Sequence, residues 1–195
     1  AHAGARAVFV RFAGCNVWSG REEHRERDTA KGCCAAWCDT DFVGTNGENG
    51  GAYTAREVAD LVVRLWGDSE GPSLVVCTGG EPSLSMDDAL VAELHRAGAL
   101  IHVETNGSNP LPAGVDWVTL SPKPPMPVVL ARANEIKCVY PSVDPLAYDD
   151  IVAQFRFVQP RDAKSDDQNA ENMKECVAFV MREPRWRLSL QTHKM

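Results

Sequence analysis

The sequence predicts an α/β fold on six or seven mainly parallel strands and about three helices, and two patterns carry that expectation. Short β-branched and aromatic runs alternate with long crossovers, which favours parallel pairing. Five of the runs end in polar or Gly/Pro sequence: "CTGGEP", "ETNG", "SPK", "QPRD" and "QTHK". Parallel α/β sheets and barrels bind ligands outside the carboxyl ends of their strands, where the loops converge. Five such ends together predict a site along one edge of the sheet.

The elements follow in order. Val8 to Phe12 reads as a short buried strand. Ser19 to Lys31 is almost continuously charged with no apolar period, and reads as a solvated loop. After the turn-rich "TNGENGG", Thr54 is a plausible N-cap with Glu57 as its capping-box partner. Val58, Leu61, Val62 and Leu65 then share one helical face. "SLVVC" is a buried strand ending in "TGGEPSL", and a second helix fits Asp87 to Ala97, closed by Gly98. "LIHVETNG", "DWVTLSPK", "NEIKCVYP" and "FRFVQP" each read as a strand with a polar end. A third helix fits Gln168 to Glu183, and "WRLSLQTHK" is the last strand.

At 195 residues the chain suits one domain, taken as 1–195 with a cysteine-bearing loop over 14–44. A net charge of −7 argues against a nucleic-acid partner held by general basicity. No apolar run reaches the length that spans a bilayer. Seven cysteines, an odd number, with no visible signal sequence, point to metal or catalytic thiols and a cytoplasmic location. The chain starts without Met and runs almost at once into a strand, so a crop at either end is expected.

The cysteines divide by context. Cys77, Cys138 and Cys176 sit in apolar runs and read as small core hydrophobes. Cys15, Cys33, Cys34 and Cys38 lie in loop sequence beside Gly and charged residues, where packing gives no reason for a thiol. Four thiolates could hold zinc, although a vicinal Cys33–Cys34 pair suits one small ion poorly and C-x2-C knuckles are absent. A [4Fe–4S] cluster on three cysteines, with one iron left for a non-protein ligand, is the other option. Spacing leaves both open.

"GCNVWSGRE…CDTDFVGT", "VVCTGGEPSL", "HVETNGS", "VTLSPK", "NEIK", "FVQPRD" and "WRLSLQTHK" occur in that order. In this the chain resembles the 7-carboxy-7-deazaguanine synthase family of radical S-adenosylmethionine (SAM) enzymes, from about Ala7 to Lys194. The resemblance implies an abbreviated, open, TIM-like partial (β/α) barrel. It implies a lyase that converts 6-carboxy-5,6,7,8-tetrahydropterin to 7-carboxy-7-deazaguanine with loss of ammonia, through a 5′-deoxyadenosyl radical, on the route to queuosine and other 7-deazapurines. A [4Fe–4S] cluster, SAM and Mg2+ are its implied cofactors. A homodimer and a flavodoxin- or ferredoxin-type reductant are its implied partners. It also implies a Gln-Gly-Glu-Gly stretch ahead of this sequence and a few pocket-closing residues beyond it.

Site residues carry over by position. Cys15, Cys34 and Cys38 would hold the cluster. Radical SAM enzymes commonly show C-x3-C-x2-C, whereas here Ala35 stands three before Cys38, and eighteen residues separate Cys15 from Cys34. Cys34 is preferred to Cys33 because the shorter gap lies nearer the pattern. Thr40, from "CDT", would offer Mg2+ a hard oxygen. Gly80 would meet the SAM amino group, with Ser121, Pro122, Lys123, Gln159, Pro160, Arg161 and Asp162 lining the rest of the SAM site. Glu81 and Pro82 would shape the turn, and Asn106 reads either as a ligand or as a left-handed turn residue. Arg11 would clamp the substrate carboxylate, with Thr78 and His193 completing the contacts. The alternatives are a radical SAM enzyme with another substrate, such as a glycyl-radical activating enzyme, and a zinc-stabilised or degenerate binding module.

Overall fold

The computed structural model describes residue 2 and residues 4–191. Seven strands form a single sheet in strict chain order: β1 (Val8–Phe12), β2 (Ser73–Gly79), β3 (Ala99–Thr105), β4 (Trp117–Leu120), β5 (Arg132–Tyr140), β6 (Val152–Pro160) and β7 (Arg187–Leu188). Every adjacent pair is parallel. Among the described residues the sheet does not close, since β1 and β7 are both edges, and four α-helices accompany it: α1 (Arg25–Thr29), α2 (Ala55–Trp66), α3 (Asp88–Arg96) and α4 (Asp166–Arg182). The expected open, abbreviated (β/α) architecture is what the chain adopts.

Alternation along the strands decides which side becomes core. Val75, Cys77, Ile101 and Val103 point to the face covered by α2 and α3, and all four are fully buried. Leu120, Ile136, Cys138 and Val158 continue that face beneath α4, which contributes Cys176 and Phe179. The three core cysteines therefore pack as hydrophobes, and burial raises the pKa of each to about 12. The opposite face is more polar. It carries Thr78, Glu104, Thr119, Glu135 and Lys137 at the register positions that alternate with the core residues.

Local chemistry explains the helix ends. The Thr54 hydroxyl accepts from Glu57 N at 3.3 Å while the Glu57 carboxylate accepts from Thr54 N at 2.7 Å, the reciprocal capping box the sequence announced. Asp87 caps α3 through Leu90 N at 2.8 Å. The third expected helix begins two residues earlier, at Asp166, where Asp166 and Asp167 meet the positive end of the helix dipole.

Two expectations need correction. The charged stretch 19–31 is not a solvated loop: it forms a 3-10 turn (Glu22–His24) running into α1, and Asp28 within it is 2 % exposed. A window of charges with no apolar period hides this, because what docks is one carboxylate with its partners rather than a hydrophobic stripe. The last strand is also shorter than "WRLSLQTHK". Only Arg187 and Leu188 enter the ladder, against Phe157 and Val158, with a final bond from Ser189 N to Val158 O at 2.9 Å.

Candidate active site

The site is built around loop 14–44, which leaves β1 at Phe12 and returns beside it. Gly14 N donates to Phe42 O at 3.1 Å and so closes the loop's base. Trp18 and Phe42 meet edge to face at 5.7 Å, and with Cys33, Cys34 and Ala35 they form a small core of their own. Cys34–Ala36 is a 3-10 turn in which Cys38 N and Trp37 N both donate to Cys34 O, at 2.8 and 3.0 Å. The α1 segment braces that turn. The Arg25 guanidinium stacks on Trp18 at 4.6 Å, and donates to the Ala35 carbonyl and to the Cys38 carbonyl, the latter at 3.2 Å.

Asp28 is the second brace. Its carboxylate accepts from Ser19 N at 3.2 Å, from Arg27 Nε at 2.9 Å and from Lys31 Nζ at 3.0 Å. Those hydrogen bonds, from Arg27 first and Lys31 next, hold its pKa well below the usual carboxylate range. A depressed carboxylate stabilises the fold fully above its unfolded pKa and loses that contribution as pH falls below it. Asp28→Ala should lower the melting temperature by roughly 3–6 °C at neutral pH, with the difference shrinking in acid. Asp28→Asn, which retains an acceptor for Ser19 N, should fall between the two in thermal scans at several pH values.

Cys15, Cys34 and Cys38 line a common cavity of about 130 Å³ above the carboxyl ends of β2, β3 and β4. Cys33 turns the other way, its thiol donating to Asp28 O at 3.1 Å. The backbone at Cys33 is extended, whereas Cys34 opens the 3-10 turn, so the adjacent side chains diverge. The three cavity thiols are electrostatically unequal. A hydrogen bond from Cys34, helped by Thr40 N–H, pulls the Cys38 pKa down to about 6, while that same bond and burial push Cys34 up. Burial raises Cys15. Two of the three thiols thus stay protonated unless a cationic centre arrives, which is what metal ligation supplies.

Among the described residues no group of His, Cys, Asp or Glu is gathered tightly enough to hold a single metal ion. Three thiols lining one cavity suit a cluster held by three cysteines.

The β2 end explains why two glycines occur there. Gly79 has φ +145, and a Cβ on it would lie 2.3 Å from Phe12 O. A Cβ on Gly80 would lie 1.9 Å from Gly14 O and 3.0 Å from Cys15 Cβ. The amides of this turn are bonded to the loop, Gly80 N to Phe12 O at 3.1 Å and Glu81 N to Gly14 O at 2.9 Å. Glu81, 1 % exposed, then ties the turn to β3 by accepting from Thr105 Oγ1 at 2.6 Å and Asn106 N at 2.7 Å. Asn106 does not take a left-handed φ. It bridges onward, Nδ2 donating to Asn16 Oδ1 at 3.0 Å, so the residue after Cys15 is anchored across the sheet edge.

The other expected residues separate into three places. Thr40, Thr78, Gly80, Ser121 and Lys123 line the thiol cavity, where Lys123 folds back to donate to Ser121 O and Oγ at 2.7 and 2.6 Å. Arg161 and Asp162 line a neighbouring depression of about 280 Å³, shared with Trp37 and Cys38. Arg161 is pinned by its N–H to Tyr140 O at 2.9 Å and its guanidinium to Ser142 Oγ at 3.2 Å, and Asp162 accepts from Asn169 Nδ2 at 3.2 Å. Pro122, Gln159 and Pro160 line neither cavity. Arg11 sits in register with Thr78 but lines a separate cavity of about 530 Å³ along the outer edge of β1, with Phe9, Asp41 and Tyr53. His193 lies outside the described residues.

Residues that motif reading passed over are Trp37, Arg25, Asp28, Glu104 and Lys137. Trp37 precedes a loop cysteine and is a large aromatic in otherwise polar sequence, a signal that was present. Lys137 Nζ bonds Glu104 Oε1 at 3.0 Å across β3 and β5, a pairing that no local pattern encodes.

No family model matches the chain. Full-length similarity is nevertheless extensive. The chain is 48 % identical over 195 residues to the 7-carboxy-7-deazaguanine synthase of Caulobacter vibrioides, covering 98 % of this chain and 89 % of that protein. It is 44 % identical over 197 residues to the enzyme of the same name from Bordetella pertussis, covering 100 % and 90 %. The crystal structure of QueE from Escherichia coli superposes with a TM-score of 0.65 at 25 % identity, over 96 % of this chain and 86 % of that one. The parallel open sheet, the thiol-lined cavity at its carboxyl edge and these relatives agree, and the chain belongs to the 7-carboxy-7-deazaguanine synthase family.

Proposed function

We propose that this chain is a radical SAM lyase that contracts the ring of 6-carboxy-5,6,7,8-tetrahydropterin to give 7-carboxy-7-deazaguanine and ammonia. The observation that carries the assignment of its centre is the cavity into which Cys15, Cys34 and Cys38 face together while Cys33 faces Asp28. Those three thiolates would hold a [4Fe–4S] cluster and would leave one iron available to SAM. Bound together, cluster and SAM supply the hydrogen-abstracting radical.

The chain's own part is placement and exclusion of water. Gly79 and Gly80 let the cluster loop seat against the β2 end. Ser121 and Lys123 would line the SAM site from the cavity side. The depression between Trp37 and Arg161–Asp162 would take the adenine, with an aromatic wall on one side and fixed polar groups on the other. Pro122, Gln159 and Pro160 would act through the backbone of these strand ends. Thr40 would give Mg2+ one hard oxygen, leaving the rest of its octahedron to substrate and water. Thr78 lies in the cavity for substrate contact, Arg11 would reach the carboxylate from the neighbouring cavity along β1, and His193 would complete the contacts. No helix among the described residues is long and apolar enough to cross a membrane. A cytoplasmic homodimer fed by a flavodoxin- or ferredoxin-type donor suits this chemistry.

The test is anaerobic reconstitution with iron and sulfide, followed by electron paramagnetic resonance (EPR) of the reduced protein with and without SAM. A [4Fe–4S]+ signal that shifts on adding SAM, and turnover of the carboxypterin, is the expected result. A colourless protein, or a cluster indifferent to SAM, would overturn the assignment in favour of a binding module.

A further inference from the structure

Among the described residues, the indole N–H groups of Trp18, Trp66 and Trp186 are buried without a full hydrogen bond. A buried donor left unpaired is costly, so each calls for an explanation. Of these three, Trp18 is the one that lines the thiol cavity. It is 4 % exposed, and its ring is packed by Phe42, edge to face at 5.7 Å, and by the Arg25 guanidinium over its face at 4.6 Å. So held, the indole N–H lies within hydrogen-bonding reach of the Cys38 sulfur. The backbone beside it treats the neighbouring thiol alike, Val17 N donating to Cys15 Sγ at 3.4 Å. The sulfurs of the cavity are thus met by N–H donors. Trp18 supplies one that belongs to a side chain and can be removed without touching the backbone.

The reduced form of a [4Fe–4S] centre carries one more negative charge than the oxidised form, and its ligand sulfurs share that charge. An N–H donated to a ligand sulfur stabilises the more negative form and so raises the reduction potential. We infer that Trp18 tunes the potential of the cluster by donating its indole N–H to the Cys38 sulfur, which brings the centre within reach of a low-potential one-electron donor. No covalent bond changes and no proton is transferred; the contact is stronger in the reduced form. The inference rests on the proposed function and adds a determinant of redox potential to it. It also gives the charged stretch 19–31 a part in the chemistry, because Arg25 fixes the indole that carries the N–H.

The experiment is an EPR-monitored redox titration of the reconstituted protein in the absence of SAM. It compares the wild type with Trp18→Phe and with a protein in which Trp18 is replaced by 3-benzothienylalanine. Phe keeps an aromatic ring against Phe42 and Arg25 and lacks the N–H. The benzothienyl group keeps the shape of the indole and puts sulfur in place of the N–H. Both replacements should lower the midpoint potential by about 60 mV, a roughly tenfold change in the one-electron reduction equilibrium. The SAM-induced shift of the EPR signal should persist in both. An unchanged potential in either cluster-bearing variant would overturn this inference alone, with the wild type still binding SAM at its cluster. Loss of the cluster from both variants would also overturn it, by making Trp18 a structural residue of the loop. A wild type that holds no cluster, or one indifferent to SAM, would remove the inference together with the function it rests on.

Discussion

Cys34→Ala should abolish the [4Fe–4S]+ signal and reduce turnover to background, whereas Cys33→Ala should keep both within about twofold of wild type. The two residues are neighbours, both buried, at 4 % and 6 % exposure. Composition, propensity and burial therefore make the substitutions equivalent, and only direction separates them. Cys34 lines the cavity with Cys15 and Cys38 and bonds Cys38, while Cys33 donates to Asp28 O. Removing Cys33 forfeits a weak S–H donor and a little packing, worth about 1 kcal/mol. Removing Cys34 takes away one of three ligands. Iron content, the EPR spectrum and the melting temperature of the two apo-proteins would separate ligand loss from misfolding. Cluster retention in Cys34→Ala with loss in Cys33→Ala would reverse the assignment.

Gly80→Ala is expected to be nearly as damaging, for a steric reason. The added methyl would stand 1.9 Å from Gly14 O and 3.0 Å from Cys15 Cβ, and backbone cannot swing aside as a side chain can. Relief means pushing the cluster loop off the β2 end, breaking the bonds from Gly80 N to Phe12 O and from Glu81 N to Gly14 O. A cost of about 3 kcal/mol or more follows, near 6 °C or more in melting temperature for a chain of this size. The SAM-induced change in the EPR spectrum should disappear even where iron still binds. Gly47→Ala is the matched control: a Cβ there meets nothing within 4 Å, and the melting temperature should hardly move. A Gly80→Ala protein with wild-type stability and SAM response would show that the close approach is not required.

Much of the scaffold was legible because its signals are local. Val8–Phe12 has four apolar residues in five and is bounded by loop sequence, although as an edge strand it is half-buried at most, with Phe9 exposed, rather than buried as expected. Thr54 and Glu57 form a reciprocal pair three residues apart, and Asp87 caps the helix that Gly98 follows. The charged stretch 19–31 was opaque because its fold depends on partners outside its own window: Arg25 stacks on Trp18 and donates to the Ala35 and Cys38 carbonyls. Arg11 takes register with Thr78 and lines the cavity along β1 that the loop residues Asp41 and Phe42 share, a neighbourhood that only the return of the loop creates.

Taken alone, the order of residues settled the alternating strands and helices, the set of loop thiols apart from the core thiols, and the motif series along the strand ends. All of these are properties of spacing within a few residues, where backbone geometry permits few outcomes. Tertiary structure decided which of two adjacent thiols enters the cavity, that Asp28 and Arg25 brace the loop, and that Glu104 meets Lys137 thirty-three positions away. Those outcomes depend on which face of the sheet the helices cover and on how separate strand ends converge. They are fixed by packing between distant segments, because a side chain's neighbours across a sheet are set by register and not by its own sequence.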